Sequence, residues 1–161
     1  MAEEFDVIVI GGGAAGENVA GRVQGGGLSA VVIESDLIGG ECSYWACMPS
    51  KALLRPGEAL AVARRVPSIR DAVTGGIDVE KVLSSRNAFA SNWDDSGQEQ
   101  WLASVNAELI RGHGKITGEK AVTAFEKDGT VRELVARKAV VVATGSTSFI
   151  PPIDGLDGAA A

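Results

Sequence analysis

An α/β domain built on a parallel sheet is predicted by three features of the 161-residue sequence. A Val/Ile-rich run, Phe5 to Ile10, enters a triple glycine. A stretch of helical pattern, Ala14 to Gln24, follows it. A second apolar run, Ala30 to Ile33, then ends on an acid, Glu34. Apolar runs without alternation suit strands buried on both faces, and strand, helix and strand within about 30 residues is the length of a βαβ unit.

The later elements follow from local signals. Gly25-Gly26-Gly27 ends the first helix, because glycine tolerates a left-handed exit. Pro49, Pro56 and Pro67 punctuate a mostly helical stretch from about Ala46 to Val66, which predicts one or two kinked helices. Asp78 is a predicted N-cap for a helix carrying Val79, Val82, Leu83, Phe89 and Trp93. Ser96 with Glu99 reads as a capping box opening a further helix with Trp101, Leu102 and Val105, after a break at Asp94-Asp95. Trp93 and Trp101 are assigned to core packing. Short strands are predicted at Glu108–Arg111, Ala121–Glu126, Val131–Ala136 and Ala139–Ala143, with a hairpin turn at Asp128-Gly129.

Composition excludes several function classes. The chain is 45% hydrophobic, enough for a real core in one domain, and its net charge is -6. Phosphate-backbone binding needs a basic face, and no Lys/Arg cluster is longer than Arg64-Arg65, so nucleic acid is not an expected partner. The amino terminus, Met-Ala-Glu-Glu, is acidic, and the run Val7 to Ile10 is too short to span a bilayer. No membrane association is expected, and the default address is the cytoplasm. In that compartment two cysteines are candidates for chemistry rather than a structural staple.

Gly11-Gly12-Gly13-Ala14-Ala15-Gly16 matches GxGxxG between a strand and a helix. Gly11 serves the tight turn, Gly13 admits a pyrophosphate to the backbone, and Gly16 lets helix and strand pack closely. The helix amino terminus offers free N–H groups to phosphates. Glu34, eighteen residues past Gly16, is placed to accept from an adenosine ribose hydroxyl and to repel a 2'-phosphate. At this point FAD and NAD both remain open.

Cys42 and Cys47 stand in Gly39-Gly40-Glu41-Cys42-Ser43-Tyr44-Trp45-Ala46-Cys47-Met48-Pro49-Ser50-Lys51. On a regular helix they would lie roughly 7.5 Å apart along the axis and point to different sides, whereas a disulfide needs Cα atoms within about 7 Å. A disulfide therefore requires a distorted or non-helical turn, assisted by Pro49 disfavouring helix at Met48, and such a bond would be readily reduced. A following helix amino end and Lys51 would both stabilise a thiolate. Two buried unpaired cysteines are the alternative. No metal is expected, since a closed zinc site needs four ligands and His113 is the sole histidine.

Together the glycine loop, Glu34, the Gly39-to-Cys42 segment and Cys47-Met48-Pro49-Ser50-Lys51 resemble the amino-terminal part of class I pyridine nucleotide-disulfide oxidoreductases. That is the family of dihydrolipoamide dehydrogenase, glutathione reductase and mercuric reductase. The likeness continues at Arg111-Gly112-His113-Gly114-Lys115-Ile116 and Ala143-Thr144-Gly145-Ser146, so it covers nearly the whole chain. The resemblance implies FAD at the first glycine loop and electron flow from NAD(P)H through flavin to a Cys42–Cys47 disulfide. A disulfide or thiol substrate, or a related electron acceptor, would follow.

Cys42 would be the interchange thiol and Cys47 the thiol against the flavin ring. The resemblance carries cofactor contacts to Gly11, Gly13, Ala14, Ala15, Gly16, Glu34, Ser35, Gly39, Gly40, Glu41, Cys42, Cys47 and Lys51. It also carries them to His113, Gly114, Ala143, Thr144, Gly145 and Ser146, with His113 a structural or backbone contact rather than a catalytic base.

Two positions depart from the family pattern. Glu41 replaces the usual Thr, which should raise the Cys42 pKa by like-charge repulsion, and Tyr44-Trp45-Ala46 replaces Asn-Val-Gly, which should reshape substrate access with bulky aromatics.

The predicted fold is therefore a three-layer, Rossmann-like FAD-binding domain: a parallel sheet from the strands at 5, 30, 108 and 139, helices on one face, and an antiparallel meander over 115–137 on the other. Residues 1–150 would form the incomplete FAD-binding domain and 151–161 a tail toward an NAD(P)-binding domain lying outside the sequence. The full-length protein is expected to be a homodimer, and this chain alone to lack NAD(P)H turnover. An open sheet edge, with weak FAD retention or pairing of two chains, is also expected. The rival class is a non-catalytic dinucleotide-binding module with redox-sensing cysteines. A small NAD-dependent dehydrogenase is disfavoured, because Tyr44 is the sole tyrosine and no Tyr-Lys or His constellation appears.

Overall fold

The computed structural model describes residues 2–156; the predicted tail at 151–161 thus lies partly outside the described residues. The element order is β1 (Glu3–Ile10), α1 (Ala14–Gly25), β2 (Ala30–Glu34), α2 (Gly40–Tyr44), α3 (Cys47–Arg65), α4 (Val79–Phe89), α5 (Ser96–Ser104), β3 (Glu108–Gly118), β4 (Ala121–Glu126) and β5 (Val131–Val142). Strands β3, β2, β1 and β5 run parallel in that order, with Val7 opposite Ala30, Val31 opposite Glu108, and Val7 opposite Ala139. The meander β3-β4-β5 then returns antiparallel, and the five strands close into a ring.

Alternation along β1 builds two cores. Ile8 and Ile10 face the meander and pack with Val31, Ile33, Ile110, Val122, Ala124, Leu134 and Ala136. Val7 and Val9 face the other way, against Ala20 of α1, Val32, Ile38, Leu102 of α5 and Ala107. Helices, parallel sheet and meander are thus the three predicted layers.

Three expectations need correction. The strands predicted separately at 131–136 and 139–143 are one strand, as are Glu108–Arg111 and the residues to Gly118. The long strand β5 turns from meander to sheet through a bulge: Phe5 pairs with Ala136 and Val7 with Ala139, one residue extra on β5. Because the ring closes, each of the five strands has two hydrogen-bonded neighbours, so the expected open edge is not found among the described residues. Finally, Ser96 and Glu99 form no capping box. Asp95 occupies the N-cap of α5, and the Asp94 carboxylate accepts from the Ser96 N–H at 2.9 Å.

Some of the other local signals act as expected, and those at Trp93 and Trp101 do not. Asp78 caps α4 by accepting from the Lys81 N–H at 3.1 Å. Helix α1 stops at Gly25, where the Leu28 N–H returns to the Val23 carbonyl at 3.1 Å. Helix α3 runs through Pro56 and ends where Val66, extended ahead of Pro67, cannot continue it. Helices α3 and α4 pack on each other. The apolar positions of α4 bury none of its residues, and Trp93 falls outside it. Trp101 is 41% exposed, lying over Gly21 rather than in the core. Among the described residues no helix is long and apolar enough to cross a membrane.

At the start of β1, Asp6 accepts from the Ser29 N–H at 2.9 Å and from Arg137 Nε at 3.1 Å. The Arg137 guanidinium, then the Ser29 bonds, hold the Asp6 carboxyl well below the ordinary carboxylate range. A depressed acid contributes stability that is complete above its unfolded pKa, about 3.9, and lost as pH falls toward the folded value. Asp6→Ala is therefore expected to lower the Tm at neutral pH and to flatten the fall in Tm below about pH 4, followed by calorimetry across pH.

A Cβ at Gly16 would sit 1.9 Å from the Gly11 carbonyl oxygen, whereas one at Gly25 meets nothing within 4 Å. Gly16→Ala should destabilise the fold by roughly 1–3 kcal/mol through overpacking. Gly25→Ala should stabilise it by about 0.5–1 kcal/mol. Urea titrations that gave the two variants equal midpoints would contradict this packing.

Candidate functional site

The carboxyl ends of β1, β2 and β5, with the point where β3 passes from pairing β2 to pairing β4, open into a groove of about 590 Å³, within the range of small-molecule sites. It lies where the chain, after running outward from β1 to β3, returns to the far side of β1 as β5. Such reversals leave a crevice beyond the strand ends.

Close backbone packing shapes the groove floor. Gly11 has φ +100°, and a Cβ there would lie 2.3 Å from the Ala143 carbonyl oxygen. The Gly39 N–H donates to the Gly12 carbonyl at 2.8 Å, and Gly13 bridges Gly39 in parallel. Gly40, at φ +61°, would place a Cβ 2.7 Å from the Gly13 Cα. Gly13 differs from these: its φ of -74° is ordinary, and an added Cβ would meet only the Gly40 Cα at 3.9 Å. The fold therefore does not itself require glycine at 13. Gly13 is also the N-cap of α1 and gives that helix start no side-chain cap.

The predicted residues Gly11, Gly13, Ala14, Ala15, Glu34, Ser35, Gly40, Glu41 and Cys42 line this groove, as do His113, Gly114, Ala143, Thr144, Gly145 and Ser146. Gly16, Gly39, Cys47 and Lys51 do not. Gly16 is spent on helix-to-strand packing and Gly39 on the bridge to Gly13.

Ile10, Ile33, Asp36, Leu37 and Gly112 line it without having been expected as contacts, and so does Trp45, which was expected only to reshape substrate access. Strand ends and loop neighbours could have flagged five of these. For Trp45 the signal was helical spacing from Glu41 and Cys42. The Glu34 carboxylate accepts from the Gly12 N–H at 2.6 Å and the Asp36 N–H at 2.7 Å, so it also braces the loop that it faces.

The cysteines are brought together by a helix break. Helix α2 ends at Tyr44, Ala46 takes φ -119° and ψ -85°, and α3 starts at Cys47. The Trp45 and Ala46 N–H groups both donate to the Glu41 carbonyl, at 2.9 and 2.7 Å. Met48 is helical, contrary to expectation. Pro49 sits in the first turn of α3, where its missing N–H costs no intrahelical bond.

Both cysteines are free thiols here and half-buried. The Cys42 thiol is pushed up first by the neighbouring Cys47 thiol, then by burial, with Lys51 opposing. The direction matches the sequence expectation, but the cause is Cys47 rather than Glu41.

The aromatics divide. Tyr44 is 1% exposed, its hydroxyl donates to Gln98 Oε1 at 2.9 Å, and burial pushes its pKa up to about 12. It is core, so it does not reshape access. Trp45 is 53% exposed, lines the groove, and lies 5.8 Å from Trp93 between ring centroids. Trp93 in turn lies under the Arg86 guanidinium, 5.5 Å from ring centre.

The family model for pyridine nucleotide-disulphide oxidoreductase matches residues 5–161. A dihydrolipoyl dehydrogenase from Chlorobaculum tepidum is 34% identical over 94% of this chain and 32% of its own length. That from Bacillus subtilis is 30% identical over 98% of this chain and 35% of its own. A mercuric reductase from Lysinibacillus sphaericus is 28% identical, over 96% and 28%. Among solved structures, the copper(II) complex of the HOCl-induced flavoprotein disulfide reductase RclA from Escherichia coli superposes with a TM-score of 0.77. It is 20% identical, over 98% of this chain and 32% of that one. The chain spans about a third of the length of the relatives it matches. On the extent of these matches, the chain belongs to the pyridine nucleotide-disulphide oxidoreductase family.

Proposed function

We propose that this chain is the FAD-binding portion of a flavoprotein disulfide reductase, with residues 1–150 forming the dinucleotide-binding unit and 151–161 a tail. The observation that carries the reading is one groove lined by the glycine loop, Glu34 and Cys42 together. The residues fit a dinucleotide. Gly13 keeps the groove clear where the fold alone would accept a methyl, and the uncapped start of α1 offers N–H groups to a pyrophosphate. Glu34 would hold the adenosine ribose, Gly114 and the His113 backbone the adenine side, and Thr144 to Ser146 the opposite wall. Bound FAD would supply two-electron chemistry between a reduced nicotinamide and a disulfide.

The chain's own thiols carry the exchange. The Cys42 thiolate attacks a substrate disulfide, forming a mixed disulfide and releasing one thiol. The Cys47 thiolate then attacks Cys42 Sγ, closing the Cys42–Cys47 bond and releasing the second thiol. The neighbouring Cys47 disfavours ionisation of Cys42, and Lys51 is the cation that favours it. Turnover with NAD(P)H, a small disulfide or thiol acceptor, and a homodimer belong to the proposal for the full-length protein.

Gly13→Ala tests the groove directly. Its Tm should match wild type while its affinity for FAD, titrated by flavin fluorescence, falls at least about tenfold, ~1.4 kcal/mol. Wild-type affinity in that variant, or no FAD binding by the parent chain, would refute the cofactor assignment.

Iodoacetamide alkylation of Cys42, mapped by mass spectrometry, should follow an ionisation above the ordinary thiol value of about 8.5. Cys47→Ala should lower that midpoint, and Lys51→Met should raise it.

A further inference from the structure

One charged cluster outside the groove bears on it. Asp95, at the N-cap of α5, accepts through Oδ2 from the Ile38 N–H at 2.8 Å and from Arg111 Nη1 at 2.5 Å. The same Nη1 donates to the Asp36 carbonyl at 3.1 Å, and Nη2 lies 3.6 Å from Glu99 Oε2. Burial works against the Asp95 charge, but the bonds from Arg111 and Ile38 outweigh it and keep the carboxyl below its ordinary value. One turn along α5, Gln98 receives the Tyr44 hydroxyl. The amino end of α5 therefore holds Ile38 and Tyr44, while Arg111 holds Asp36, so the segment from Asp36 to Tyr44 is tied at both ends.

That segment has no strand partner apart from the single bridge at Gly39, yet it carries Cys42 and one wall of the groove. Arg111 is the last residue of β3 paired with β2, opposite Glu34, so the cluster is anchored in the sheet. A partly buried carboxylate and guanidinium are costly to separate, because the survivor is left unpaired.

We propose that Asp95 and Arg111 are positioning residues for the redox pair: through Asp36 and Ile38 they fix where α2 presents Cys42 to Cys47. The assignment rests on the reading of Cys42 and Cys47 as a redox pair, and its test separates the two. Asp95→Ala, Asp95→Asn and, as a matched control, Asp6→Ala would be compared with wild type. Asp6 also joins an arginine to a backbone N–H, but at the opposite end of β1. Two quantities are read: the Cys42–Cys47 equilibrium in glutathione buffers, and the rate of Cys42 alkylation, which needs neither flavin nor disulfide.

Asp95→Ala should shift the equilibrium by about tenfold, the size of coupling between neighbouring sites, and speed alkylation several-fold as the thiols part. Asp95→Asn, whose amide oxygen can still receive the Ile38 N–H, should fall between. Asp6→Ala should lower the Tm while leaving both readouts at wild-type values. The proposal is overturned if Asp95→Ala leaves both unchanged, or if Asp6→Ala moves them equally. If the wild-type pair forms no disulfide in oxidised glutathione, the redox reading fails, and alkylation alone decides the positioning role.

Discussion

The structure depends on a seam where backbone meets backbone with no side chain between. Gly11 lies against the Ala143 carbonyl, Gly16 against the Gly11 carbonyl, and Gly40 against Gly13. These three approaches draw the end of β5, the start of α1 and the start of α2 to one point. No other residue type reaches such distances, since a Cβ would overlap carbonyl or Cα atoms in each case. Glu34 completes the seam by bonding the Gly12 N–H, so the residue read as a ribose acceptor also braces the loop it faces.

Much of this was legible in the sequence because the signals were local. The triple glycine after Phe5–Ile10, the acid at 34 and the Asp128-Gly129 turn each answer a short-range requirement of the backbone, and each element stands where that requirement puts it. What escaped notice depends on partners distant in sequence. Ser96 and Glu99 satisfy the capping pattern, but Asp95 takes the N-cap because Ile38 and Arg111 hold it there. Tyr44 and Trp45 are adjacent and equally aromatic, and only the position of Gln98 shows which one is buried. The continuity of β5 through Arg137 and Lys138 likewise needed β1 beside it, because a bulge is defined by its neighbour.

The cysteine pair joins both kinds of information. Spacing alone requires a break in the helix, and the structure supplies it at Trp45 and Ala46, with two N–H groups sharing the Glu41 carbonyl. The sequence could not say which charge governs Cys42. Glu41 is its covalent neighbour but exposed, where water screens its charge, and the half-buried Cys47 dominates instead.

The hairpin β4 and its flanking strand halves also act as a seal. Without that return path, β3 and β5 would each present a row of unpaired amides and carbonyls beside valine- and isoleucine-rich surface, a template for adding strands from other molecules. Resistance of β3 and β5 to edge-on pairing thus rests partly on β4, none of whose residues lines the groove.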